Sequence, residues 1–490
     1  MLKIIATLGT IQVLVITANL IRSKIMAVLL GPAGVGVVSV VDQSVYFLAQ
    51  VSALSIPFAT IKFLSRAQSQ GHAEFNRTYS VLFRILLTLT CIGSMIGLLV
   101  ALFQPEVLGT AMVSYRALLI PAFLSIPAMT LHGFFSSVLA AAQKPRMAGL
   151  MGFIIAASLA LSTFLGISLG GTLGLYWGNW LASVLIVLGM IVYLRRELGL
   201  SFWTGRLDIL GEIRANPDTL TFPLILYGTS ITSGFSLLVA RMSIFVNFGE
   251  AEAGLLQTAI ALAGALNLIL NPANGLYLTP MVNRRIAVEE KIRSALEFQG
   301  RLILALGILA MPLVLFTDWL VIILYSPSFI AITSVAFVFV LAQTIVQLAG
   351  VYQALLIGLD DLKVYGASMI ASNVTLGLVA WWLAPSYGIG GVAIGMLISS
   401  MAVFFLTLAR LTWKYRLALP SRLKFFIGYC LLALVVAGGF SNWVGSSSLF
   451  AILSKGGILI AFCTSLIFFM SKQDQAKFKS KLDWLVIQIR

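Results

Sequence analysis

Residues 5–61 read IATLGTIQVLVITANLIRSKIMAVLL, then GPAGVG, then VVSVVDQSVYFLAQVSALSIPFATI. Two long apolar runs flank a glycine-proline turn, and Arg22, Lys24 and Asp42 are the charges within them. A helix needs about 20 apolar residues to cross the hydrocarbon core of a bilayer, and each run is longer than that. The apolar positions are continuous, whereas barrel strands alternate apolar and polar residues. The stretch therefore predicts a transmembrane helical hairpin. Its first run continues to about residue 30 without a small-residue cleavage site, which predicts a retained span.

The same pattern fills the chain. Hydrophobic residues make up 60% of it and charged residues 10%, with a mean hydropathy of +1.01. A soluble domain carries about 25% charged residues to solvate its surface, so lipid is the solvent implied here. Fourteen spans are expected, over 5–30, 37–61, 80–103, 113–141, 149–170, 173–194, 219–248, 252–280, 296–317, 329–357, 364–384, 389–409, 423–440 and 449–471. Cys91, Cys430 and Cys463 lie in apolar stretches and form no disulfide framework or metal spacing.

Basic residues orient the spans. With a cytoplasmic N-terminus, all 32 Lys and Arg fall on inside segments except Arg22, Lys24, Arg116, Arg241 and Lys455. The outside loops carry Glu106, Glu250, Glu252 and Asp318 instead. The positive-inside rule then places both termini in the cytoplasm. It also explains the net charge of +15 as a topology signal, with no nucleic-acid partner expected. Arg116 and Lys455 sit near outer span ends, where long side chains snorkel to the headgroups. Arg22, Lys24 and Arg241 sit deeper.

A shift of 217 or 218 residues superposes the two halves. Gly31 and Gly36 fall on Gly249 and Gly254, Lys24 on Arg241, Arg66 on Arg284, Arg84 on Arg301 and Gly149 on Gly366. The spacing of Gly171, Gly174 and Gly178 recurs at Gly388, Gly391 and Gly395. Each repeat holds six spans, an even number, so both have one orientation and predict two parallel bundles with a substrate path between them. The expected domains are a six-helix bundle over 1–197, a cytoplasmic linker over 198–218 and a second six-helix bundle over 219–412. Two extra transmembrane helices follow over 413–471, then a basic amphipathic interfacial tail over 472–490. The glycine stretches lack the Lys-Ser/Thr and strand-turn-helix context of a nucleotide loop, so tight turns and close helix contacts account for them.

Residues 22–43, RSKIMAVLLGPAGVGVVSVVDQ, resemble the first-loop signature of a branch of the multidrug/oligosaccharidyl-lipid/polysaccharide flippase superfamily. That branch is the polysaccharide transporters, which include Wzx-type O-antigen flippases. Residues 276–298, LYLTPMVNRRIAVEEKIRSALEF, are similar to its motif after the eighth span. The resemblance covers about residues 1–412. It implies an all-α polytopic membrane protein of two pseudo-symmetric six-helix bundles working by alternating access. It implies a flippase, and no enzyme, moving an undecaprenyl-(pyro)phosphate-linked oligosaccharide from the cytoplasmic to the periplasmic leaflet of a bacterial inner membrane. The implied partners are that substrate, membrane lipids, and a polysaccharide polymerase with its chain-length machinery. No cofactor is expected, a proton or sodium ion being the candidate coupling species. A cation-coupled exporter of small organic molecules is the alternative within the superfamily.

The residues place the site in the buried charges. Charge at the bilayer centre costs about 2.5–3.5 kcal/mol on insertion scales, so these side chains are expected to face a cavity or one another. Lys24, Arg241, Arg22 and Asp42 share one level and form the expected cavity set. Arg22 and Lys24 stand about 200° apart around their helix and cannot both face one way. Lys24 is taken to face the cavity with Arg241, and Arg22 or Lys24 to pair with Asp42. Lys62, Arg66, Arg84, Arg284 and Arg301 form an expected basic collar at the cytoplasmic mouth. His72 lies in a loop and His132 is alone on its span, so no metal site is expected.

Overall fold

A computed structural model describes residues 2–204, 218–273, 286–444 and 449–469. Among them there are helices and no strand, and ten helices are long and apolar enough to cross a membrane. This is a multi-pass membrane protein. Two of the ten are double length. The run Leu2–Ala53 is interrupted at Gly31 (φ 65°, ψ −174°), and Pro145–Leu198 at Gly170 and Gly171, the latter with φ 58°. At 1.5 Å per residue an unbroken helix over either run would extend about 80 Å, more than twice the hydrocarbon thickness. Each therefore folds as two arms: α1 (2–30) and α2 (32–53), then α7 (145–169) and α8 (172–198). Pro32 opens α2 at the first helical position, where its missing N–H costs nothing.

The other helices are α3 (Ile56–Gln70), α4 (His72–Phe103), α5 (Arg116–Leu124), α6 (Ile126–Ala141), α9 (Asp218–Phe248), α10 (Glu250–Ala273), α11 (Val288–Leu315), α12 (Thr317–Leu324), α13 (Thr333–Gly358), α14 (Leu362–Tyr387), α15 (Ile389–Tyr415), α16 (Ser421–Val444) and α17 (Leu449–Phe469). Two expected spans are subdivided. The span over 37–61 breaks where Leu54 (φ 47°) and Ser55 (φ 55°) adopt left-handed backbone before Pro57. The span over 113–141 divides at Ser125, two residues before Pro127. The linker over 198–218 is described only at its two ends, and the tail 472–490 and Arg284 lie outside the described residues.

The internal repeat has a structural counterpart. Gly31 and Gly249 both turn the chain with positive φ (65° and 88°), as do Gly171 and Gly388 (58° and 55°). Gly36 and Gly254 press on one another reciprocally. A Cβ on Gly36 would collide with the Glu250 carbonyl, and one on Gly254 with the Pro32 carbonyl. Pro32 and Glu250 are themselves 218 residues apart, so the contact between α2 and α10 is reciprocal at the offset of the repeat.

The described residues form two compact units. The first comprises Met1–Thr258, Ile322–Phe329 and Gly366–Gly395. The second comprises Ala259–Val321, Ile330–Tyr365 and Met396–Arg490. At one end of the first unit, Tyr79, Phe83, Phe134 and Phe202 pack ring on ring, joining α4 and α6 to the segment after α8. Inside the helices, Ser44, Thr90 and Thr407 return their hydroxyls to the preceding turn, which satisfies polar groups that lipid cannot.

The second unit corrects one expectation. Lys455 does not snorkel to the headgroups. It is 2% exposed and its Nζ lies 3.1 Å from Asp318 Oδ2 on α12. α17 delivers the lysine inward, and burial of the acid demands a partner. α16 and α17 pack intimately here. Gly438 lies under Phe337 and Gly307 under Phe462, and Ser441 donates to Leu315 O and Asn442 to Ser334 O.

Candidate functional site

The first unit encloses a cavity of about 410 Å³ whose wall includes Arg22, Asp42, His132, Tyr176, Asn179 and Arg241. Ligand pockets commonly measure about 300–1,000 Å³. α1 supplies Arg22, whose Nε donates to Thr163 Oγ1 at 3.1 Å. Thr163 and Ser162 both donate to Asn179 Oδ1 on α8, at 3.4 and 2.7 Å. Arg22 is thereby tied to the α7–α8 hairpin and held at the cavity edge.

α2 supplies Asp42, which is exposed to the cavity although it sits mid-helix. Its Oδ1 accepts a hydrogen bond from Tyr176 at 3.0 Å. The ion pairs found among the described residues involve Glu74, Asp361 and Asp318, and not Asp42. Of the expected pairings, Arg22 acts on Asp42 through its charge while bonding Thr163 rather than touching the carboxylate, and Lys24 points elsewhere. Lys24 Nζ donates to the Ile322 carbonyl at 3.1 Å, and Lys24 is not part of this cavity's wall. The angular separation along α1 puts one basic residue on the cavity and the other off it, and Arg22 is the one on it.

α9 supplies Arg241. It is 8% exposed, its Nη1 donates to Ser39 O at 2.7 Å, and its Nε has no hydrogen-bond partner among the described residues. Gln43 Nε2 donates to Gly234 O at 2.9 Å, and Gly234 lies against Phe47, so α9 packs closely on α2. A buried guanidinium with an idle N–H carries desolvation that an anion can offset, with the fork geometry suited to phosphate. Arg22, Asp42 and Arg241 thus share one cavity.

His132, Tyr176 and Asn179 were not among the expected site residues. His132 Nε2 lies 3.4 Å from Ser183 O. Tyr176 and Asn179 sit in GTLGLYWGN, a stretch read for its glycines, and polar groups in an apolar span were the available signal. Of the expected basic collar, Lys62, Arg66 and Arg84 belong to the first unit and Arg301 to the second. Arg84 bonds Ser80 O and lies 6.0 Å from the Trp203 ring, which fixes it locally.

No protein-family model matches this chain, and no curated protein sequence does so. Solved structures do. The lipid II flippase MurJ in its inward closed conformation aligns with a TM-score of 0.68, over 94% of this chain and 97% of MurJ, at 14% identity. An inward-facing multidrug resistance MATE family transporter of the MOP superfamily aligns at 0.61, over 83% and 96%, at 15% identity. The outward-facing form of a MATE family transporter aligns at 0.51, over 83% and 93%, at 14% identity. The fold is that of the MOP-superfamily transporters. Identity at this level shows the fold alone. On that MOP fold, the polar cavity of this chain carries two arginines and one acid among its charged residues.

Proposed function

We propose that this chain is a flippase for an undecaprenyl-(pyro)phosphate-linked oligosaccharide, carrying it from the cytoplasmic to the periplasmic leaflet of a bacterial inner membrane by alternating access. The observation that carries this reading is Arg241, buried beside the cavity with an unpartnered Nε, and Arg22 adds a second guanidinium on the same wall. A phosphate or pyrophosphate is the part of such a substrate that a low-dielectric path rejects most strongly, and charge-assisted hydrogen bonds from arginine offset that cost. In this reading Arg22 and Arg241 meet the anion. Asp42 holds the empty cavity's charge in balance or takes up a coupling ion. Lys24 and the collar residues Lys62, Arg66, Arg84, Arg284 and Arg301 act on approach. Both termini face the cytoplasm, and a polysaccharide polymerase consumes the flipped product.

A second reading is a cation-coupled exporter of small organic molecules. It is favoured by the Asp42 carboxylate, which is open to the cavity and outside the ion pairs. Purified protein in proteoliposomes separates the two. The flippase reading expects translocation of a fluorescent polyprenyl-diphosphate oligosaccharide and no accumulation of organic cations. Cation accumulation without lipid translocation would establish the exporter instead.

A further inference from the structure

Beyond the cavity, the second unit gathers six cations where α13 passes to α14 and α15 to α16: Lys363, Arg410, Lys414, Arg416, Arg422 and Lys424. Asp360 and Asp361 are the acids among them. Asp361 is buried, and one carboxylate organises its neighbours. It accepts from Arg410 Nε at 2.8 Å and Nη2 at 3.4 Å, from Lys414 Nζ at 3.2 Å and from the Tyr415 hydroxyl at 3.3 Å. The Arg410 guanidinium lies 5.7 Å from the ring of Trp413, and Lys414 Nζ lies 4.9 Å from the ring of Tyr415. Arg416 takes left-handed backbone (φ 54°) at the turn that follows. Trp413 is 81% exposed and Phe425 67%.

Topology alone asks for positive charge at the cytoplasmic end of a span. It does not ask for a buried acid that fixes two cations in place, or for an indole standing out from the surface beside them. Fixed cations bordered by exposed aromatic rings match the headgroup level of a bilayer, where indoles concentrate and acidic lipids attract basic side chains. We propose that this end of the second unit binds the headgroup phosphate of an anionic phospholipid. Arg410 and Lys414 are aimed by Asp361. Arg416 in the α15–α16 turn and Arg422 and Lys424 in the first turn of α16 complete the cationic cradle, and Trp413 and Phe425 enter the acyl boundary.

The test uses the full chain in detergent, titrated with phosphatidylglycerol, phosphatidylcholine or free glycerol phosphate, and read by thermal unfolding and native mass spectrometry. Phosphatidylglycerol is expected to raise the unfolding midpoint and remain bound, and the other two are not. The triple variant R416A/R422A/K424A should weaken phosphatidylglycerol retention by about five-fold for each cation removed. Asp361→Asn separates a built site from charge alone. It adds one unit of positive charge yet frees Arg410 and Lys414, so a built site binds phosphatidylglycerol more weakly and a diffuse patch more tightly. Tighter binding by Asp361→Asn, wild-type retention by the triple variant, or equal stabilisation by glycerol phosphate would overturn the proposal.

Discussion

Replacing Gly36 by alanine puts a methyl group into the crossing of α2 and α10. The added carbon would stand 2.8 Å from Gly254 N and nearer still to the Glu250 carbonyl oxygen. Carbon–oxygen contacts begin at about 3.3 Å, so the helices must part by about 1.5 Å to clear it. Both obstacles are backbone, which has no rotamer by which to yield. Overpacking of this kind costs about 1–3 kcal/mol in a state that keeps the helices in contact. A state that separates them escapes the cost, and a bias of that size shifts the balance between two conformations by about five- to 150-fold. Gly254→Ala should act alike, since its Cβ meets Pro32 O. The double variant should fall short of additivity, because one separation relieves both clashes. The assay is labelling of Met129→Cys on the cavity wall, in a cysteine-free background, by an impermeant thiol reagent applied on the side of the α1–α2 turn. Labelling is expected to rise in both alanine variants. Unchanged labelling together with an unchanged unfolding midpoint would refute the reasoning.

Other outcomes follow from the ion pairs and the topology. Lys455→Met strands a buried Asp318 carboxylate and should cost about 3–5 kcal/mol, while Lys455→Met combined with Asp318→Asn should recover most of that in thermal unfolding. By the same packing, truncation after α15 should fail to give a stable protein, because it removes Lys455 and bares Phe337 and Gly307; a stable truncated protein would contradict it. Burial alone would raise the Asp361 carboxyl, but hydrogen bonds from Arg410 and Lys414 prevail and hold it below the usual carboxylate range. Its contribution is then complete above the unfolded value near 3.9 and is lost as pH falls through the lower folded value. The stability difference between wild type and Asp361→Asn should accordingly stay constant from about pH 8 to 5 and vanish only below about pH 4. For the orientation, a cysteine at Gln104, just beyond α4, should react with an impermeant reagent from the periplasm, and one at Gln70, just before it, should not; the reverse pattern would invert the topology.

Much of the fold was legible because a bilayer leaves the chain few options. Apolar runs must be helices of one length, and Gly31 and Gly171 mark the places where double-length runs have to turn. The repeat was legible because Gly36 and Gly254 must stay bare for α2 and α10 to touch. The break at Leu54–Ser55 was not, since neither residue favours left-handed backbone and tertiary packing imposes it. The inward turn of Lys455 was hidden for a related reason: its acid is 137 residues away in the chain, and span-end position alone suggests snorkelling. Arg22, Asp42 and Arg241 line one cavity, while Lys24, expected beside Arg241, does not. Which face of α1 looked inward depended on Thr163 and Ile322, whose positions only the packed structure supplies. Tyr176 and His132 were not placed in the cavity because a single polar residue in an apolar span has the same sequence signature whether it lines a cavity or meets a carbonyl.

The central claim, that Arg241 meets the anionic group of a lipid-linked substrate, is tested most directly by one comparison in proteoliposomes. The initial rate of flipping of a polyprenyl-diphosphate oligosaccharide is measured for wild type, Arg241→Ala and Arg241→Lys, with correct folding verified for each. Losing one charge-assisted contact to phosphate costs about 1.5–3 kcal/mol, so at subsaturating substrate Arg241→Ala should be slower by about ten- to 150-fold. Arg241→Lys, which keeps the charge and loses the fork, should fall between alanine and wild type. Wild-type flipping by a folded Arg241→Ala protein would contradict the account.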